Sequence, residues 1–126
     1  MTHRVLSVGQ CGMDHGSISR FLDQHFDVSI EQAHGAAQAL DKLRNELFNL
    51  VLVNRVFDQG GGDGMGLIQQ VCQDDSIGDI PVMLVSNFPE YQKQAVALGA
   101  APGFGKAGLK SPNLPGHLAT YLSNES

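Results

Sequence analysis

The segment that most constrains this chain is Leu50-Val51-Leu52-Val53, an unbroken apolar run between Asn49 and Asn54. A half-exposed strand alternates polar with apolar residues. A short run without alternation suits a strand covered on both faces, as at the centre of a parallel sheet. Parallel neighbours need long crossover connections, and the flanking sequence supplies them as helical patterns.

On the amino side, Arg4-Val5-Leu6-Ser7-Val8 is a short apolar strand stopped by Gly9. Ile18, Phe21, Leu22 and Phe26 then recur at helical spacing, with Ser17 as the expected N-cap. Asp27-Val28-Ser29-Ile30-Glu31 alternates like a strand, and Ala36, Ala37, Leu40, Leu43 and Leu47 form the next helical stripe. Beyond the central run, the glycine-rich segment from Asp58 to Gly64 must be a loop. Met65, Ile68, Val71 and Cys72 mark a third helix, and Ile80-Pro81-Val82-Met83-Leu84-Val85 a fourth strand. Asn87 is the expected N-cap of a fourth helix, with Glu90 as its capping-box partner and Gly99 as its stop. Ala101 to Gly105 makes a short fifth strand, and Ser111-Pro112 opens a last helix carrying Leu114, Leu118, Tyr121 and Leu122.

Five strands alternating with five helices imply an α/β fold, with a parallel sheet between helices and right-handed crossovers. Function in such folds sits at the carboxyl ends of the strands. The residues there are Gly9 and Gln10, Gln32, Asn54, Ser86 and Asn87, and Gly105 and Lys106.

The length of 126 residues suits a single domain, residues 1–126, that buries its own core without a metal or disulfide staple. Eight Lys and Arg against thirteen Asp and Glu leave a net charge of −5. That balance excludes a general nucleic-acid binder, and six Phe, two Tyr and no Trp make a poor stacking platform for single strands. No apolar run approaches the ~20 residues of a membrane span. Met1-Thr2-His3-Arg4 leads into a short apolar segment without the core of a signal peptide. A cytoplasmic protein with Cys11 and Cys72 as free thiols is expected.

Three segments, in this order on the (βα)5 pattern, make the chain resemble a response-regulator receiver domain from about Arg4 to Leu122. Asn49-Leu50-Val51-Leu52-Val53-Asn54 resembles the third strand of that family, which normally ends in the phospho-accepting Asp. Ile80 to Ser86 resembles the fourth strand with its terminal switch Ser or Thr. Ala97-Leu98-Gly99-Ala100-Ala101-Pro102-Gly103-Phe104-Gly105-Lys106 resembles the Gly-Ala, aromatic and Lys signature of the fifth. The resemblance implies a flavodoxin-like, doubly wound five-stranded parallel sheet in the order 2-1-3-4-5, and a role in two-component, phosphorelay-type signal transduction.

Departures from the family pattern fall on its chemistry. Gly9 and Gln10 replace the two acids after the first strand, Asn54 stands at the acceptor position, and Ala107 replaces the proline after Lys106. The loop after Asn54 is longer than the family's usual spacing to the glycine that opens the third helix, here Gly66. Mg2+ favours oxygen ligands that include one or two carboxylates. A carboxamide carries no charge and is a poor phosphoryl acceptor. The chain is therefore expected to be a pseudo-receiver without enzymatic activity, cofactor or Mg2+, acting through protein contact. The partner would be a histidine kinase or an output protein. Ser86, Phe104 and Lys106 retain switch-like positions, with Asn54, Ser86 and Lys106 expected to form one polar network in which Asn54 Oδ1 and strand-end carbonyls accept from the lysine.

Two alternatives follow from nearby residues. Asp14 or Asp58 could replace the missing acids, Asp58 as a true phospho-acceptor, or the cleft around Lys106 and the first loop could bind a small anion. Gly99 to Lys106 lacks Walker A spacing, and Asp14-His15-Gly16 lacks that of a cobalamin motif. Only His15 of the five histidines falls on the functional rim. The last two helix–strand units, with Glu90, Gln92, Lys93, Gly108, Lys110 and His117 expected on their exposed face, offer a weak docking or homodimer surface.

Overall fold

The computed structural model describes residues 3–57, 63–77 and 80–122. Strands β1 (His3–Val8), β2 (Val28–Ala33), β3 (Leu50–Asn54), β4 (Val82–Val85) and β5 (Ala101–Phe104) pair in parallel in the order β2-β1-β3-β4-β5. Helices α1 (Gly12–His25), α2 (Ala36–Asn45), α3 (Gly64–Gln73), α4 (Pro89–Ala97) and α5 (Leu114–Leu122) alternate with them, and a 3-10 helix, Lys106–Lys110, follows β5. The alternation predicted the parallel α/β sheet, and the order is the flavodoxin-like, doubly wound one that the family resemblance implied.

Strand periodicity sorts the core into two layers. Leu50 and Leu52 of β3 face α1 and α5, where they meet Ile18, Phe21, Leu22, Leu114, Leu118 and Leu122. Val51 and Val53 face the other way, onto Ala39, Leu43, Leu67, Ile68, Val71 and Ala95 from α2, α3 and α4. Each such buried aliphatic side chain stabilises the fold by roughly 1.5–3 kcal/mol, so the unbroken run of β3 is the natural seam between the layers.

The helix starts depart from expectation. Ser17 lies inside α1, which opens after Cys11 without a side-chain cap; burial of Ile18, Phe21 and Leu22 holds the helix despite that. Asp63 caps α3 by accepting from the Met65 N–H at 2.9 Å, so Gly64 and not Gly66 opens it. A Cβ on Gly64 would stand 2.0 Å from the Asn54 carbonyl oxygen, which is why a glycine starts this helix. Helix α4 begins at Pro89, with Phe88 and not Asn87 at the cap, since the proline needs no N–H partner there. Ser111 accepts from the Asn113 N–H in a turn, and α5 starts only at Leu114. Leu47 lies beyond α2 and is exposed, while Phe48 takes the core position.

Candidate functional site at the carboxyl edge of the sheet

The carboxyl ends of β1, β3, β4 and β5 bring Gly9, Gln10, Asn54, Ser86, Phe104 and Lys106 to one edge of the sheet. Their side chains do not form the single network expected of them. Asn54 turns its amide nitrogen inward, donating to the carbonyl oxygens of Gly9 at 3.2 Å and Val56 at 2.7 Å. Ser86 Oγ accepts from the Phe88 N–H at 3.2 Å, a local turn that sets the entry to α4. Phe104 is buried in the core layer beneath α1 and α5.

Lys106 corrects the expectation most directly. Its Nζ lies 2.6 Å from Asp14 Oδ2 in the first turn of α1, so it has a carboxylate partner and does not use Asn54. The Lys106 ammonium, assisted by the Cys11 thiol at 3.2 Å, holds the Asp14 carboxyl below the usual carboxylate range. Both partners are about a third exposed, so the pair contributes little stability but fixes where Lys106 sits. His15, next in the chain, is half-buried, and burial, with the neighbouring His34, pushes its imidazole below the ordinary value.

Gly9 has a left-handed backbone at φ 75°. A Cβ built there would stand 2.3 Å from Cδ1 of Phe57, a residue only 5% exposed. The aromatic ring thus fills the space a side chain at position 9 would need. Gln10 beside it is fully buried, and its side-chain amide has no hydrogen-bond partner. The residues at the family's metal positions do not fit a hard divalent cation. One has no side chain and no room for one, another is a buried neutral amide, and Asn54 presents its N–H side inward. Asp14 is engaged by Lys106, and among the described residues no group of three or more His, Cys, Asp or Glu could hold a metal. Asp58 lies outside the described residues.

Phe57 and Arg55 were not singled out in the sequence. The Arg55 guanidinium stacks on the Tyr91 ring at 4.3 Å, and Tyr91 meets Phe88 edge-on with centroids 5.8 Å apart. Together with Asn54, Val56, Ser86, Asn87 and Lys106, Arg55 and Phe88 line an open cleft of about 260 Å³. Asn87 Oδ1 accepts from the Ala107 N–H at 3.1 Å and ties the two rims of this cleft together. A Cβ on Gly105 would fall 1.9 Å from that same oxygen.

The surface expected on the last two units is partly spent internally. Gln92 donates to the Leu84 and Ser86 carbonyl oxygens at 2.9 and 3.0 Å and accepts from the Gly103 N–H at 3.2 Å. A His117 ring nitrogen lies 2.6 Å from the Pro102 carbonyl oxygen. Glu90 and Lys93 remain exposed on α4.

No protein-family model matches the sequence, and no curated protein matches it either. The fold itself is that of response-regulator receiver domains. The signal receiver domain of a DNA-binding response regulator from Colwellia psychrerythraea superposes with a TM-score of 0.76 at 21% identity, over 94% of this chain and 96% of that one. A response regulator from Burkholderia pseudomallei, solved with a phosphorylated aspartic acid, a calcium ion and citrate, matches at 0.71 and 23%, over 97% of this chain and 68% of that one. A chemotaxis response regulator of Vibrio cholerae matches at 0.69 and 18%, over 86% and 93%. At such identities the likeness is one of architecture, and the chemistry rests on the residues at the site. Among the described residues, no helix is long and apolar enough to cross a membrane.

Proposed function

We propose that this chain is a receiver-type module of two-component signalling that acts by protein contact and neither takes a phosphoryl group nor holds Mg2+. Its partner is a histidine kinase or an output protein, and it performs no catalysis of its own. The observation that carries this reading is the Phe57 ring packed where a side chain on Gly9 would stand. Loss of an acid by substitution leaves a hole that a water or a nearby carboxylate can fill. An aromatic ring in that space removes the cavity as well as the ligand. Asn54 supports the reading further, because a delocalised amide bonded to the Gly9 carbonyl offers no anionic oxygen for attack on phosphorus. Two free thiols, Cys11 and Cys72, fit a reducing cytoplasmic setting.

The test is intact-mass spectrometry of the full chain after incubation with acetyl phosphate and Mg2+. The expected result is an unchanged mass. A stable gain of about 80 Da, one phosphoryl group, that disappears in Asp58→Ala would overturn the proposal in favour of a displaced acceptor.

A further inference from the structure

The cleft beside Asn54 has features that the loss of receiver chemistry does not explain. Among its described lining residues there are two cations, Arg55 and Lys106, and no carboxylate, in a chain whose net charge is −5. Lys106 is neutralised by Asp14. Arg55 has no carboxylate partner among the described residues, and its guanidinium carbon lies over the Tyr91 ring, 4.3 Å from the centroid. A guanidinium placed over a ring face still has its forked N–H donors, which lie in its own plane, to offer a carboxylate. The rim beside it is apolar and open: Phe88 is 55% exposed and Val56 49%. A contiguous exposed apolar patch is more informative than a single exposed side chain, and here two such side chains line the same cleft as Arg55.

We infer that this cleft is a docking site for a short segment of a partner protein that presents a carboxylate next to a bulky apolar side chain. The acid bonds to the edge of Arg55, with Asn87 Nδ2 as a second donor, and the apolar neighbour packs on Phe88 and Val56. Charge selects the occupant. The cleft attracts an anion, while the acidic remainder of the chain repels a long polyacidic tract, so a single acid flanked by apolar residues fits best. Size selects it too, because about 260 Å³ accommodates one or two side chains but is small for a cofactor. The inference rests on the proposed role as a contact module and names the chemistry of its partner.

The experiment is selection of a random peptide display library against the full chain, without Mg2+ or a phosphoryl donor. Enriched peptides are then synthesised with a fluorescent label and measured by anisotropy. The expected consensus is Asp or Glu beside Phe, Leu, Ile or Trp. Affinity is expected to fall about tenfold in Arg55→Gln, and equally when the peptide acid becomes its amide, the loss typical of a charge-assisted bond. Phe88→Ser weakens binding as well, while Val96→Ser, on another exposed part of α4, leaves it unchanged. No enrichment, a consensus without an acid, or retained affinity in Arg55→Gln would overturn the docking site. So would displacement by millimolar inorganic phosphate with no dependence on Phe88, which would assign the cleft to a free anion. These outcomes leave the mass-spectrometric test untouched, so failure of the docking site and failure of the phosphorylation-independent reading are distinguishable.

Discussion

The Gly9–Phe57 contact yields the most decisive test, because its two halves are predicted to be strongly non-additive. Gly9→Ala adds one methyl group to a backbone at φ 75°, 2.3 Å from the Phe57 ring. The left-handed conformation alone costs about 1–3 kcal/mol for a non-glycine residue. Forcing the ring aside adds a further ~1–3 kcal/mol of overpacking. The single substitution should therefore cost roughly 2–6 kcal/mol. With a urea dependence of about 2 kcal/mol per molar, that moves the unfolding midpoint by about 1–3 M. Phe57→Ala empties a nearly buried site and costs about 3–5 kcal/mol in its own right. In that background the methyl group at position 9 meets no ring, so only the backbone strain remains. The double variant should be more stable than the sum of the singles by about 1–3 kcal/mol. Urea melts followed by circular dichroism measure all four corners of the cycle, and Phe57→Leu serves as a milder background if Phe57→Ala does not fold. Additivity within about 0.5 kcal/mol would refute the argument that the ring occupies the space above Gly9.

Three further outcomes follow from named contacts. Gln92→Ala strands the Leu84 and Ser86 carbonyls and the Gly103 N–H, and should cost about 1–3 kcal/mol in the same melts, with no effect expected if α4 is held by packing alone. Asp14 has a folded pKa below its ordinary 3.8, so its pairing with Lys106 stabilises the fold fully above that value and is lost as pH falls through the folded one. Thermal melts of the native chain should thus lose more stability in that acid window than melts of Asp14→Asn, and parallel curves would count against the pairing. Asp74, held down to about 2 by hydrogen bonds from Ser76 and then by Arg44, should titrate by NMR near that value, and a midpoint near 3.8 would contradict the turn seen here.

How much of this was readable beforehand divides along physical lines. The parallel, two-layered α/β class follows from the apolar run of β3 and from period-2 and period-3.6 patterns, which report burial directly, while the strand order was implied only by the family resemblance. The helix starts did not follow, because Ser17, Asn87 and Ser111 are chemically capable caps that found other work. Ser17 sits within α1, Asn87 bonds to Ala107, and Ser111 closes a turn. The functional positions were legible as positions, since the topology carries Gly9, Asn54, Ser86 and Lys106 to one edge whatever their side chains do. Their partners were not legible. Asp14 reaches Lys106 only because α1 begins early, and the roles of Phe57 and Arg55 arise from contact with Gly9 and Tyr91, far from them in sequence. One signal was available: glycine just after β1 predicts either a special backbone or a close neighbour, and here it is both.

The contacts also bear on whether such a module can switch. A ligand shifts a two-state equilibrium only by its differential affinity for the two states. In this chain the polar groups at the carboxyl edge of the sheet are largely committed. Asn54 bridges β3 to the Gly9 carbonyl, Lys106 is bound to α1 through Asp14, and Ser86 caps its own turn. Gln92 meanwhile bonds α4 to both β4 and β5. The Asn54, Lys106 and Gln92 links each tie two parts of the fold together and oppose their relative movement. Among the described residues, Arg55, with Phe88 and Val56 beside it, keeps binding capacity unspent at this edge. On the proposed reading, a partner docking there would meet an arginine already placed over Tyr91, which lowers the cost of ordering that side chain, and regulation would rest with the partner's abundance or accessibility.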